Sequence, residues 1–302
     1  AGLLRVGDAA AFGPSGQLRL LGGTLTGIGA TALTFGNTVL FGGDFTFGGP
    51  ADTAALTFTG ATDLGGATRT VTTLVDVAFT NTVSNGNLVK DGTGALTLSG
   101  NNSFSGGLTL NAGALRAGND TAFGTGTLAL NGGTVSSDGA TARTLANDVV
   151  ANADVTLGDA TLHGALTIGG AFDLGGVDRT LTTASDVTLT GAIFDGGLIK
   201  AGAATLTLSG TNTYAGATSV TAGTLVTIGS STLTATSSVR SGVASWASGS
   251  PPTRAGPPCT CTKPRPTAAS GKTRSRSRTL SWRVIKTGAN ASASPGAESL
   301  SR

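Results

Sequence analysis

The chain has 302 residues, only 12% of them charged, with 49 glycines, one tyrosine, one histidine and no methionine, a composition unlike the globular average. Its net charge of +3 conceals two segments. Residues 1–239 carry eight basic side chains and fifteen aspartates, a net −7, and residues 240–302 carry eleven basic side chains and the single acid Glu298, a net +10. The absence of a G-X-Y period excludes collagen, and no apolar run nears the ~18 residues of a membrane-spanning helix.

From the start of the chain, AGLLRVGDAA lacks a basic n-region and an apolar h-region, so no signal peptide is read there and the chain is expected to be a fragment. Apolar–Thr–apolar triplets then recur through the body: Leu33-Thr34-Phe35, Phe45-Thr46-Phe47, Leu56-Thr57-Phe58, Leu96-Thr97-Leu98, Leu108-Thr109-Leu110, Val155-Thr156-Leu157, Leu166-Thr167-Ile168 and Val187-Thr188-Leu189. Such alternation predicts short strands with the apolar pair on one face and Thr on the other. Gly-, Asn- and Asp-rich stretches such as SGNNS, NAG and LNGG separate them and predict tight turns. Helical periodicity is hard to find in the body.

The body repeats itself at an offset of 110 to 111 residues. LRVGDAAAFG from Leu4 resembles LRAGNDTAFG from Leu115, and DLGGATRTVTT from Asp63 faces DLGGVDRTLTT from Asp173. LVKDGTGALTLSGNNSFSGGLTLNAGAL, residues 88–115, matches LIKAGAATLTLSGTNTYAGATSVTAGTL, residues 198–225, at thirteen of 28 positions. A third unit starts near Leu225 and stops. Short strands at regular spacing allow a sandwich, a barrel or a β-solenoid. The long repeat, the very short strands and the few aromatic residues favour the solenoid, as a rod of roughly ten coils and about 50 Å.

The stretches around residues 94–118 and 204–225 resemble the autotransporter-associated β-strand repeat. The first copy carries Leu96, Leu98, Gly100, Asn102, Phe104, Gly106, Leu110, Gly113 and Leu115. The second carries Leu206, Leu208, Gly210, Asn212, Tyr214, Gly216, Val220, Gly223 and Leu225. The resemblance covers about 30 residues per copy; the rest of the body shares only composition and rhythm with such proteins. It implies an all-β fold, a right-handed parallel β-helix, belonging to the passenger of a type V secreted protein of Gram-negative bacteria. It further implies display at the cell surface, an export signal and translocator β-barrel in the full-length protein, and a host or matrix surface ligand as partner. Asn102 and Asn212, in the turn after LTLSG, are expected to bond backbone groups of adjacent coils.

His163, the one histidine, has Thr53 as its counterpart and no partner motif, so a surface position is expected. A carbohydrate-active β-helix enzyme would use Asp173, Asp178 and Arg179, or Asp154 and Asp159; yet Asp63 and Arg69 duplicate Asp173 and Arg179, which points to turn formers. No calcium-binding nonapeptide series occurs, and Thr-x-Thr pairs such as Thr57/Thr59 and Thr205/Thr207 read as ordinary outward residues rather than an ice-binding array. No catalytic residue, cofactor or metal is expected, nor nucleic-acid binding by the folded body.

Residues 240–302 read as a disordered Arg/Pro/Ser-rich tail. Cys259-x-Cys261 alone is short of a zinc site. The tail is either a basic segment able to hold a polyanion or coding sequence read out of frame. The second is favoured because the rhythm stops inside the third unit.

Overall fold

A computed structural model describes residues 2–228, together with the backbone of the strands Ser238–Val239 and Ala244–Ser248. The chain winds as an all-β parallel solenoid of about eleven coils. Every strand pair is parallel and in register with the coil before and after it, as in Leu88↔Leu108↔Leu128↔Val149. Each coil takes roughly 20 residues, the size of the smallest solenoid repeats. One 3-10 turn, Ala9–Phe12, is the only helical element among the described residues.

Each coil has three faces because the triplet is the longest straight run that the glycine- and aspartate-rich corners leave between them. The outer residues of a triplet point inward and the middle one outward, so Leu56-Thr57-Phe58 and Val187-Thr188-Leu189 both read buried, half-buried, buried. The inward residues join one continuous core from Val6 to Leu225. Along one face of the first unit they form a phenylalanine ladder: the rings of Phe35, Phe58 and Phe79 stack at successive centroid distances of 5.3 Å and 5.3 Å. Their copies are Leu145, Ile168 and Leu189.

The sequence repeat and the coil are incommensurate. On the first face, Leu3–Val6 is followed upward by Thr24–Gly27, Phe45–Phe47, residues 71–73, residues 88–90 and Leu108–Leu110. The copy of Leu3–Val6 is Ala114–Ala117, which stacks on Ala95–Leu98 on the second face. The next copy, Gly223–Thr227, stacks on Thr205–Leu208 on the third. One unit therefore climbs five coils and a third, about 26 Å at the β spacing, and presents each equivalent residue on the neighbouring face.

Four strands break the short-strand rule: Val83–Asp91 and Ile193–Ala201, 9 residues each, and the two longer strands they pair with. Thr62–Thr73 and Phe172–Thr183, 12 residues each, leave one face, bulge outward and rejoin the next. Gly65-Gly66 (φ 70° and 72°) and Gly175-Gly176 (φ 70° and 76°) make the bend in the left-handed region open to glycine. In both, four consecutive exposed residues form a flange at the corner. Arg69 Nε donates to Leu64 O at 2.9 Å, and Arg179 Nε donates to Ala151 O and Leu174 O at 3.0 and 3.2 Å, holding the flange bases.

The 239/240 composition boundary falls between the strands Ser238–Val239 and Ala244–Ser248; the backbone of the latter pairs with Gly223–Thr227. Cys259, Cys261 and nearly all of the tail lie outside the described residues.

Candidate functional site

Leu96, Leu98, Leu110 and Leu115, with Leu206, Leu208, Val220 and Leu225, are buried in the ladder. Gly100 and Gly210 are glycines because an added Cβ would fall on the backbone of the preceding coil, at Asn81 and at Gly191. Gly113 (φ 74°) and Gly223 (φ 69°) occupy left-handed conformations against the carbonyls of Gly92 and Gly202. Gly106 abuts the Asn87 side chain, and Gly216 the backbone at Gly196 and Gly197.

Asn102 is buried and spans three coils. Its Oδ1 accepts from Val83 N at 2.7 Å in the coil before, and its Nδ2 donates to Ala122 O at 2.6 Å in the coil after. Residues 99–107 form no strand, and the side-chain amide adds to the backbone bonds that join this stretch to its neighbours, such as Ser103 N to Val83 O at 3.0 Å. Asn212 repeats the first half, accepting from Ile193 N at 3.0 Å, while its Nδ2 has no acceptor among the described residues. Asn147 is buried in a similar way, and its Nδ2 contacts the carbonyls of Phe123, Gly124 and Gly126, the last at 2.7 Å.

The aromatic position varies in a linked manner. Phe104 is fully buried and residue 108 is Leu; in the copy, Tyr214 is buried and residue 218 is Thr. The Tyr214 hydroxyl bonds Thr218 Oγ1 at 2.7 Å, which satisfies the group the extra oxygen introduced. Burial raises the phenol's pKa.

Sequence reasoning missed Lys90 and Lys200, counting both only toward the net charge of the body. Each is fully buried. Lys90 Nζ donates to the carbonyls of Asp91, Gly92 and Ala112 at 2.8, 2.8 and 3.0 Å. Lys200 Nζ donates to those of Ala201, Gly202 and Ala222 at 2.7, 2.8 and 3.1 Å. All three ammonium protons are used, closing a corner whose carbonyls point inward. Desolvation lowers both amines to about 8; for Lys90, Asp91 and Asp76 oppose the fall. The signal was present in Leu88-Val89-Lys90, where alternation places the lysine inward, in register with Leu110.

Buried threonine is a second departure. Thr73 and Thr183 point into the rod, and their hydroxyls donate to Gly94 O at 3.0 Å and Ala204 O at 2.9 Å in the next coil. Near the start, buried Asp52 receives Arg5 through two bonds, 3.0 and 2.7 Å, and the Gly29 amide at 3.2 Å. Arg5 first, then the Gly29 amide, hold this carboxyl below its usual range.

Three of the four aspartates considered for carbohydrate chemistry accept from backbone amides. Asp173 accepts from Gly175 N at 2.7 Å and Asp154 from Thr180 N at 2.8 Å. Asp159 accepts from Thr161 N, Thr161 Oγ1 and Leu162 N. Asp178 lies on the exposed stretch of its flange, and Arg179 is held by carbonyls at the flange base. His163 is exposed, at φ 60°, with its amide on Asp159 O. Among the described residues no group of three or more His, Cys, Asp or Glu is placed to hold a metal.

Stacked three-faced coils, corner-closing lysines and asparagines that bond from coil to coil define a parallel β-solenoid. Residues 88–117 and 198–226 match the passenger-associated-transport-repeat family. Over 105 residues the chain is 39% identical to the adhesin BmaC autotransporter of Brucella suis biovar 1 (strain 1330). That stretch is 34% of this chain and 3% of the relative, so the chain spans a small fraction of the curated protein it matches. No solved structure matches.

Proposed function

We propose that these residues are a segment of a surface-displayed autotransporter passenger, acting as a non-catalytic stalk or adhesive surface. The observation that carries the reading is the unbroken stack itself: one core, parallel pairing in every coil, and both family-matched repeats inside it. The similarity to an adhesin-type autotransporter supports an outer-membrane or cell-surface location, a host or matrix ligand, and a translocator β-barrel elsewhere in the full-length protein. Because each coil contacts only its neighbours, the rod is suited to fold coil by coil as it emerges.

The test is expression of the complete gene in a Gram-negative host with an epitope in the exposed corner at 139–141. Protease added to intact cells is expected to remove the epitope, and antibody to label the surface. An epitope reached only after lysis refutes the reading. We further propose that the passenger-type body ends near residue 239 and that 240–302 is read out of frame. The encoding DNA decides this, since a repeat continuing in neither other frame leaves the basic tail as native sequence.

A further inference from the structure

On the second face, coils three to six carry the outward column Thr57, Ala78, Thr97, Arg116. The equivalent column of the second unit, on the third face, is Thr167, Thr188, Thr207, Val226. A cleft of about 170 Å³ opens in the first column, lined by Ala55, Leu56, Thr57, Asp76, Val77, Ala78, Thr97 and Arg116. Six of these eight residues are identical in the second unit, and the two that differ create the site. Ala78 lowers the floor where Thr188 stands in the copy. Arg116 replaces Val226 and reaches back across coil five, so that its Nη1 donates to Asp76 Oδ2 at 3.1 Å.

The arrangement is not needed by the scaffold, which the second unit builds without it. It also leaves a cost: Arg116 Nε is buried with no acceptor among the described residues, a desolvation that the scaffold does not recover there. Asp76 Oδ1 takes the Ala95 amide at 2.9 Å, while Oδ2 is partly exposed beside the guanidinium. The cleft thus places a donor and an acceptor side by side, with the Thr57 and Thr97 side chains on its lining and no aromatic ring among its residues. Neighbouring hydroxyls on a sugar ring match that pair, one accepting from Arg116 and the next donating to Asp76. The volume equals roughly five or six waters, room for one ring. The net −7 of the body disfavours an anionic ligand.

We propose that this cleft binds a single neutral pyranose residue of a surface glycan through its vicinal hydroxyls. The proposal deepens the adhesive reading by naming a ligand class, and rests on it only for where the sugar is met. The test titrates the full 302-residue chain with methyl glucoside, methyl mannoside and methyl galactoside, following the Arg116 Nε–H resonance by NMR. At least one glycoside is expected to shift it saturably, with a Kd of about 1–10 mM for so few ligand atoms. Ala78→Thr and Arg116→Val rebuild what the second unit already folds with, and each is expected to weaken binding at least tenfold, read in Arg116→Val through the Ala95 backbone amide that Asp76 accepts. No shift with any glycoside, an unchanged shift in Ala78→Thr, or tighter binding of methyl glucuronide than of methyl glucoside overturns the proposal. These outcomes are read in solution, so they stand apart from surface display: failure of display leaves the cleft intact, and failure of sugar binding leaves the stalk reading intact.

Discussion

Replacing Asn102 by Leu keeps the size and burial of the side chain while removing both bonds it makes. Val83 N–H then faces an apolar group from one side of the rod and Ala122 C=O from the other. A buried backbone group left unpaired costs about 1–3 kcal/mol, so the pair implies ~2–5 kcal/mol after the small gain from burying more carbon. Asn102→Asp retains the acceptor for Val83 N–H but turns an oxygen toward the Ala122 carbonyl and buries a charge, so a loss of similar size is expected. Asn101→Asp, at the exposed neighbouring position, is expected to stay within about 0.5 kcal/mol of wild type. Urea unfolding followed by far-UV circular dichroism gives the global loss; tryptophan emission is unsuitable because Trp246 and Trp282 both lie beyond the motif. Amide hydrogen exchange gives the local one, with the Val83 amide expected to lose protection in Asn102→Leu. A loss below about 1 kcal/mol with Val83 still protected would refute the bridging role, since water or a backbone shift would then replace the amide at little cost.

The buried lysines predict an unusual alkaline dependence. Their folded values of about 8 lie below the ordinary 10.5, so between these limits the unfolded chain binds more protons and stability rises with pH. The urea midpoint is expected to climb between pH 8 and 9.5 and to do so less in Lys90→Met/Lys200→Met; a midpoint falling over that range contradicts the assignment. Asp52 has the same sign in a lower window: its depressed pKa contributes stability that is present above the usual carboxylate range and is lost as pH falls. Asp52→Asn should therefore lower the melting temperature at pH 7 and differ little from wild type near pH 2. Gly113→Ala forces a Cβ into a left-handed site 2.9 Å from Lys90 Nζ and against the Gly92 carbonyl, and is expected to cost more than about 1 kcal/mol. Gly139→Ala, with nothing near its Cβ, is expected to be close to neutral by the same urea assay.

The chain's own repetition made much of the fold legible. Period-two triplets such as Leu96-Thr97-Leu98 state which side chains point inward, because alternation is fixed by strand geometry whatever the strands pair with. The turn residues between them, and the 110-residue echo, exclude a helical or irregular body. The bonds of Asn102 and Asn212 to the preceding coil were also readable, since an amide in the turn after LTLSG can meet backbone groups there.

Other features depended on position in three dimensions. Lys90 and Lys200 carry charge in any composition count, and only the stack shows three carbonyls meeting each ammonium. Thr73 and Thr183 look like outward threonines by residue type; alternation with Val71 and Leu181 points them inward, and only the stack supplies the carbonyls their hydroxyls meet. The third-of-a-turn advance of each unit is invisible in an alignment of the two copies, because coil length is set by how corners close over the core and not by the period of the sequence. The cleft likewise needs coils three to six brought side by side. Asp76, Ala78, Thr97 and Arg116 lie up to 40 residues apart, and only stacking at one β spacing per coil makes them neighbours. The sequence by itself thus determined strands, turns and the inward face. The tertiary structure decided which polar groups were buried and which distant residues share a surface, because those depend on the closure and registry of coils that no single stretch of chain encodes.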